Sequence, residues 1–266
     1  MNSLELHMVD ILKELKEKYS ALAVRAEFEA EGTKLEELLR LKEISLSAGL
    51  GLALKIGGCE SVRDMLESRI VGVNYLIAPM VESAYSLRKY LQAVKKVFTA
   101  DELKNIEVLC NIETITACDN FESMLKIPEI NLLNGIVIER VDLCFSLGYD
   151  EKYINSKEIS RIVTGLILSA KKRHLVCTLG GGLSAASLKT FENAAVAAPG
   201  RYETRKVCFE YSKGDRHYDK GILKALGFEL LWLKNKVSFC QKIYSADKER
   251  ISIIEQNYLK EIDCLI

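Results

Sequence analysis

The chain is poor in proline, with three in 266 residues. It has no low-complexity segment and no clear linker, so nothing divides it into separate units. An excess of charge of either sign is also lacking. Lysine plus arginine equals aspartate plus glutamate at 37 each, and nothing favours nucleic acid or an anionic membrane surface. No apolar run reaches about 18 residues, which excludes a transmembrane helix. Residues 1–18 mix acids and bases and lack the apolar centre of a signal peptide. Eight cysteines form no Cys-x-x-Cys pair, and several sit inside apolar runs, where a thiol behaves as a small hydrophobe. These features together imply a reduced, cytoplasmic protein that binds neither nucleic acid nor membrane.

Against these absences stands one strong pattern. Hydrophobic residues make up 48% of the chain and alternate between two periods. Residues 3–20 place Leu4, Met8, Ile11, Leu12, Leu15 and Tyr19 at helical spacing. Short apolar runs over 21–28, 51–56, 74–80, 106–113, 133–139, 175–179 and 204–210 read as strands. Helical stretches separate them, at 33–46, 61–71, 83–97, 120–125, 156–172 and 184–197. Residues 228–233 suit an eighth strand that closes the structure, and 251–262 a last helix. Seven or eight strand–helix units in one chain of this length predict a (β/α)8 TIM barrel. The expectation is one domain over 1–266, with an added N-terminal helix over 1–20 and a C-terminal helix over 245–266. A doubly wound open sheet competes, but no Gly-x-Gly-x-x-Gly follows the first strand.

In such a barrel every strand ends at one rim. The polar residues expected there are Glu27 and Glu29, Lys55, Pro79 with Glu82, Glu113 with Thr114, Arg140 with Asp142, the glycines from Gly180, and Glu210. Glu113 and Asp142 end consecutive strands and offer the hard oxygen donors that Mg²⁺ prefers. Helix capping is the other reading of the same two acids. Gly180-Gly181-Gly182 lies between a strand and a helix, where backbone N–H groups can approach an anion. Its alternative is a tight turn with Ser184 as the helix cap.

Several of these stretches resemble the HpcH/HpaI aldolase and citrate lyase family. Residues 108–114 end in Ile-Glu-Thr, and Gly135-Ile-Val-Ile-Glu-Arg-Val-Asp-Leu follows, with Leu147-Gly148 behind it. The family's patterns are a strand ending in Glu-Thr and a later Gly-x-x-Asp-Leu-Ser-x-x-Leu-Gly. Ala78-Pro-Met-Val-Glu82 is similar to the family's Val-Pro-Met-Val, and residues 28–39 resemble the lead into its first long helix. The likeness spans about residues 22 to 182. It implies a phosphoenolpyruvate/pyruvate-type barrel that binds Mg²⁺ or Mn²⁺ and makes or breaks a carbon–carbon bond through an enolate. It assigns Glu113 and Asp142 as metal ligands and implies a homo-oligomer, associated through helices such as the last one.

The chain also departs from the family pattern. Lys55 stands where the family carries an arginine, keeping the charge but not the bidentate fork. A Schiff-base role is a lesser alternative for it. The family's Glu-His is here Glu27-Phe28-Glu29, without histidine. His174 precedes a strand, His7 lies on a terminal helix and His217 in a late loop, so the expected base is a carboxylate such as Glu29 or Glu31, or a metal-bound water. Arg140 replaces part of the family's Gly-Pro and is a candidate grip for a substrate carboxylate or phosphate. The resulting expectation is a metal-dependent carbon–carbon lyase acting on a small 2-oxo acid, phosphorylated or not. Lys55, Arg140, Gly181, Gly182 and Ser184 would hold the substrate, with Lys55, Glu29 and Arg140 taking part in catalysis. The alternative is a non-catalytic ligand-binding barrel that has lost the family's Arg and His.

Overall fold

The alternation of strand and helix is realised as a closed barrel in the order β1 to β8. The computed structural model describes residues 1–184, 187–188, 191, 198–212 and 217–263. The strands are β1 (Ala21–Glu27), β2 (Gly51–Lys55), β3 (Tyr75–Ala78), β4 (Glu107–Ile112), β5 (Gly135–Glu139), β6 (Val176–Gly180), β7 (Arg201–Glu203) and β8 (Val207–Glu210). Between them lie the helices α2 (Leu35–Ser47), α3 (Val62–Val71), α4 (Ala84–Val97), α5 (Ile115–Met124), α6 (Arg140–Ser146) and α7 (Lys157–Lys171). α1 (Ser3–Tyr19) precedes β1, and a long C-terminal helix, Tyr218–Asp263, ends the described chain. The helix expected over 184–197 lies mostly outside the described residues; 187, 188 and 191 are helical. Among the described residues no helix is long and apolar enough to cross a membrane.

The closure differs from the expectation in one respect. β1 to β7 run parallel, but β8 is antiparallel to both β7 and β1. Residues 204–206 alone separate β7 from β8, too few for a crossover, so the chain must reverse as a hairpin. Thr204 N–H donates to the Val207 carbonyl at 2.9 Å, and Val207 N–H donates to Thr204 Oγ1 at 3.1 Å, which locks the turn. The run at 204–210 therefore spans a turn and β8, and residues 228–233 are not the closing strand. They lie in the C-terminal helix, with Gly221, Ala225, Phe228, Trp232 and Asn235 buried at helical spacing. A six-residue apolar run does not tell a strand from a buried helix face. The reversal also carries Glu210 away from the rim. It lies beside Arg201, and its N–H donates to the carbonyl of Ser20, at the start of β1.

Alternation along each strand separates two environments. Outward residues pack beneath the helices in one large core. Inward, Ala23, Ala53, Ile77, Leu109, Val137 and Cys208 form a second apolar plug inside the barrel. The next inward positions toward the rim are polar: Arg25 and Glu27, Lys55, Asn111 and Glu113, Glu139, Thr178 and Glu203. α1 stands beside α2 and the C-terminal helix, tied to both through the buried carboxylate of Glu5. Glu5 Oε1 accepts from Arg40 Nε at 3.1 Å and from Asn235 Nδ2 at 3.2 Å.

Candidate active site

The site begins with β1. Arg25 and Glu27 are two residues apart, so both side chains face the barrel interior. The Arg25 guanidinium is buried among three carboxyl groups from three strands. Nη1 lies 2.7 Å from Glu203 Oε1, and Nη2 lies 3.0 Å from Glu27 Oε1 and 3.3 Å from Glu139 Oε1. β2 delivers Lys55, whose Nζ is 3.0 Å from Glu27 Oε2. That ion pair engages the Lys55 nitrogen, which opposes a Schiff-base role.

β4 delivers Glu113, which is 3% exposed. Its Oε1 accepts the backbone N–H of Met80 at 2.6 Å, and its Oε2 accepts Asn111 Nδ2 at 2.9 Å. Met80 sits at φ 53 at the end of β3, and the bond from Glu113 helps hold that left-handed turn. Thr114, the partner residue in the Glu-Thr pair, caps α5: Ala117 N–H donates to its Oγ1 at 3.1 Å. Its own hydroxyl donates to Glu82 Oε1 at 2.6 Å. Asp142 stands in the first turn of α6, exposed to the mouth of the barrel.

A cavity of about 520 Å³ opens beside them. Glu27, Lys55, Glu139, Asp142, Gly181, Gly182 and Glu203 line it, Leu226 of the C-terminal helix flanks it, and Glu113 and Arg25 lie behind its lining. Five carboxyl groups (Glu27, Glu113, Glu139, Asp142 and Glu203) meet the cations Arg25 and Lys55, while the third cation close by, Lys206, is paired with Glu31. The surplus shifts their proton affinities. Burial raises Glu113 above the usual carboxylate value against the bonds from Asn111 and Met80, and the nearby charge of Asp142 adds to the rise. Burial and then Glu139 raise Asp142. Burial raises Glu203, with Arg25 opposing and Glu139 and Glu27 adding. Glu27 moves the other way: burial pushes it up, but Arg25 and Lys55 outweigh that and hold it below the usual value.

The remaining expected residues lie outside this core. Arg140 is 2% exposed and turned toward the glycine loop. It donates to the carbonyls of Gly180 at 3.2 Å, Gly181 at 2.9 Å and Gly182 at 3.3 Å, and to Asn155 Oδ1 at 3.2 Å. Its guanidinium is thus committed to the loop and not turned to a substrate. Burial lowers it to about 10. Ser184 accepts the N–H of Ser187 at 3.2 Å, as a helix cap does. Glu29 is exposed and lies over Gly57, outside the cavity lining. Glu31 pairs with Lys206 and with Arg205. Among the described residues no histidine lines the cavity.

Arg25, Glu139 and Glu203 are the site residues that sequence reasoning passed over. The i, i+2 spacing of Arg25 and Glu27 inside an apolar strand was the available sign. Glu203 gave none, because the strand that carries it spans only Arg201–Glu203.

Two carboxylates facing one mouth fit a Mg²⁺ or Mn²⁺ ion, which commonly takes one or two and leaves its other positions to water and substrate. Each Glu113 oxygen accepts a single N–H bond, which leaves lone pairs for an ion. Among the described residues no three His, Cys, Asp or Glu side chains are already gathered as a metal cluster.

Residues 60–180, just under half of the chain, match the family model described as HpcH/HpaI aldolase/citrate lyase. No curated protein matches the chain. Among solved structures, the HpcH/HpaI aldolase from Desulfitobacterium hafniense DCB-2 superposes with a TM-score of 0.60 at 14% identity, over 71% of this chain and 80% of that one. The citrate synthase SbnG gives 0.58 at 14% identity, over 87% and 90%. An HpcH/HpaI aldolase/citrate lyase family protein from Burkholderia cenocepacia J2315 gives 0.55 at 12% identity, over 71% and 90%. At such identities the structural likeness speaks for the fold alone.

Proposed function

We propose that this barrel, whose residues 60–180 carry the HpcH/HpaI aldolase/citrate lyase domain, is a divalent-metal-dependent carbon–carbon lyase or aldolase. Its substrate in this reading is a small 2-oxo acid or related carboxylate, reacting through an enolate. The observation that carries the reading is the surplus of carboxylates at the mouth, with Glu113 near enough to Asp142 to feel its charge. Left alone, that surplus repels an anionic substrate; a divalent ion offsets it. An ion held by Glu113 and Asp142 would supply Lewis-acid stabilisation for negative charge developing on a substrate oxygen.

The chain's own residues divide the remaining work. Lys55 sits on the cavity wall, and its ammonium can lean from Glu27 toward a substrate carboxylate. Gly181 and Gly182 bring backbone to the opposite wall without side chains in the way. Arg140 holds that loop from behind, so its role is to position it. Ser184 fixes the start of the helix that follows.

The test is proton–deuterium exchange at the methyl group of pyruvate, with and without Mg²⁺. Metal-dependent exchange is the expected result. Glu113→Gln and Asp142→Asn should each weaken Mn²⁺ binding at least tenfold; unchanged affinity in both sinks the site assignment. The missing histidine and the Lys55–Glu27 pair favour a second reading, a ligand-binding barrel without turnover. Absence of exchange across a panel of 2-oxo acids would select it.

A further inference from the structure

Any enolate chemistry in this mouth needs a group that takes and returns a proton, and no histidine among the described residues lines the cavity. The carboxyl pair of Glu139 on β5 and Glu203 on β7 is buried at the cavity and takes no part in the metal and substrate roles assigned above. Both residues border the cavity, at 7% and 3% exposure. Arg25 spans them from below, 3.3 Å from Glu139 Oε1 and 2.7 Å from Glu203 Oε1. Glu139 can lean across β6 because Gly180 has no side chain there; a Cβ at Gly180 would lie 2.7 Å from Glu139 Oε2.

The charge count is unfavourable for full ionisation. Glu27, Glu139 and Glu203 crowd one guanidinium; Lys55 pairs with Glu27, and buried Lys206, whose charge also reaches Glu27, is paired with Glu31, so the acids still outnumber the cations. Two carboxylates that share a site with too few cations keep a proton between them. The groups facing Glu203 are Arg25 and Glu27 of β1, Glu139 of β5 and the thiol of Cys208 on β8. Of these only Arg25 is a cation. The rise of Glu203 above the usual carboxylate range agrees with this count.

We propose that Glu203 keeps its proton, hydrogen-bonded to Glu139, and that the two carboxyl groups form the proton-transferring pair of this site, in place of a histidine. This rests on the lyase reading above. In the enolising direction a C3–H bond of the 2-oxo acid breaks, and its electron pair moves into the C2–C3 bond. The keto C=O π pair moves onto the oxygen, and the proton arrives on the ionised oxygen of the pair. In the return direction the pair gives that proton to C3, and Arg25 stabilises the charge left behind.

Two measurements on the full-length chain decide the matter. Infrared difference spectra between wild type and Glu203→Gln, at neutral pH with Mg²⁺ present, should show a protonated carboxyl C=O band lost in the variant. Glu113→Gln should keep the band. Methyl exchange of pyruvate should fall about 10²-fold or more in Glu203→Gln, with Mn²⁺ affinity unchanged. Glu203→Asp should recover part of the rate. If Glu203→Gln does not fold, Glu139→Gln takes its place in both arms. Absence of the band in wild type overturns the proposal whatever the activity. Full exchange in the folded variant overturns it while leaving the lyase reading intact. Absence of exchange in wild type removes the lyase reading itself, and the pair's role with it.

Discussion

Arg25 is the residue on which the polar half of the barrel depends. It is fully buried and holds three carboxyl groups at hydrogen-bonding distance. Breaking a buried ion network by removing one partner leaves uncompensated charge and costs about 3–5 kcal/mol. Arg25→Met should lose that much in urea unfolding, and adding Glu203→Leu should restore a large part of it. Arg25→Lys should recover less than the charge alone suggests, since one ammonium cannot span three acids as the guanidinium fork does. The reading from sequence reached Glu27, Lys55, Glu113 and Asp142 because each ends a strand. It passed over Arg25, one register inside, because no local pattern reveals which cation the fold surrounds with acids.

At the scale of elements, the glycine loop after β6 and the start of α6 depend on each other. A Cβ at Gly181 would lie 2.7 Å from the backbone nitrogens of Arg140 and Val141, and Gly181 has φ 71. Gly181→Ala must therefore push α6, and with it Asp142. Gly148 also has a positive φ, 76, but nothing lies within 4 Å of its would-be Cβ. Gly148→Ala should cost only about 1 kcal/mol of backbone strain. Gly181→Ala should cost about 2–3 kcal/mol and also weaken Mn²⁺ binding, measured by titration alongside thermal unfolding. Equal effects of the two substitutions would contradict the packing argument. The same element explains Arg140. The sequence shows a cation beside the rim acid Asp142, and only the folded loop offers the three carbonyls that claim it.

For the whole molecule, the acid-rich mouth ties stability to pH. Glu203, Glu113 and Asp142 have folded values above their unfolded ones, so the native state binds more protons in that window. Stability then falls as pH rises from about 4.3, the usual glutamate value, through the raised folded values. Glu27 has the opposite sign: its contribution is present above the unfolded value and lost as pH falls through its lowered folded value. In metal-free protein the melting temperature should drop between about pH 5 and about pH 8. Glu203→Gln should drop less over the same range, because it lacks the largest of these groups. An equal pH slope in both proteins would mean that Glu203 is ionised throughout. Saturating Mg²⁺ should remove the part of the slope that comes from Glu113 and Asp142 and leave the part that comes from Glu203.

The sequence by itself determined the barrel, because period-2 and period-3.6 hydrophobicity alternate in turn and parallel units have few other ways to bury both faces. It pointed to some of the acids at the rim, Glu27, Glu113 and Asp142, because strand ends converge there, but not to Glu139 and Glu203, and it placed Glu210 there wrongly. Tertiary structure alone decided how the ring closes. Residues 228–233 are apolar enough for either a strand or a buried helix, and the short 204–206 turn makes β8 antiparallel and leaves them to the helix. It alone decided what lies under the rim acids. The contacts of Arg25 with Glu139 and Glu203 join residues more than a hundred positions apart, and only barrel closure sets those distances. Glu113 and Asp142 can be read along the chain; the charge balance around them comes from the closed ring.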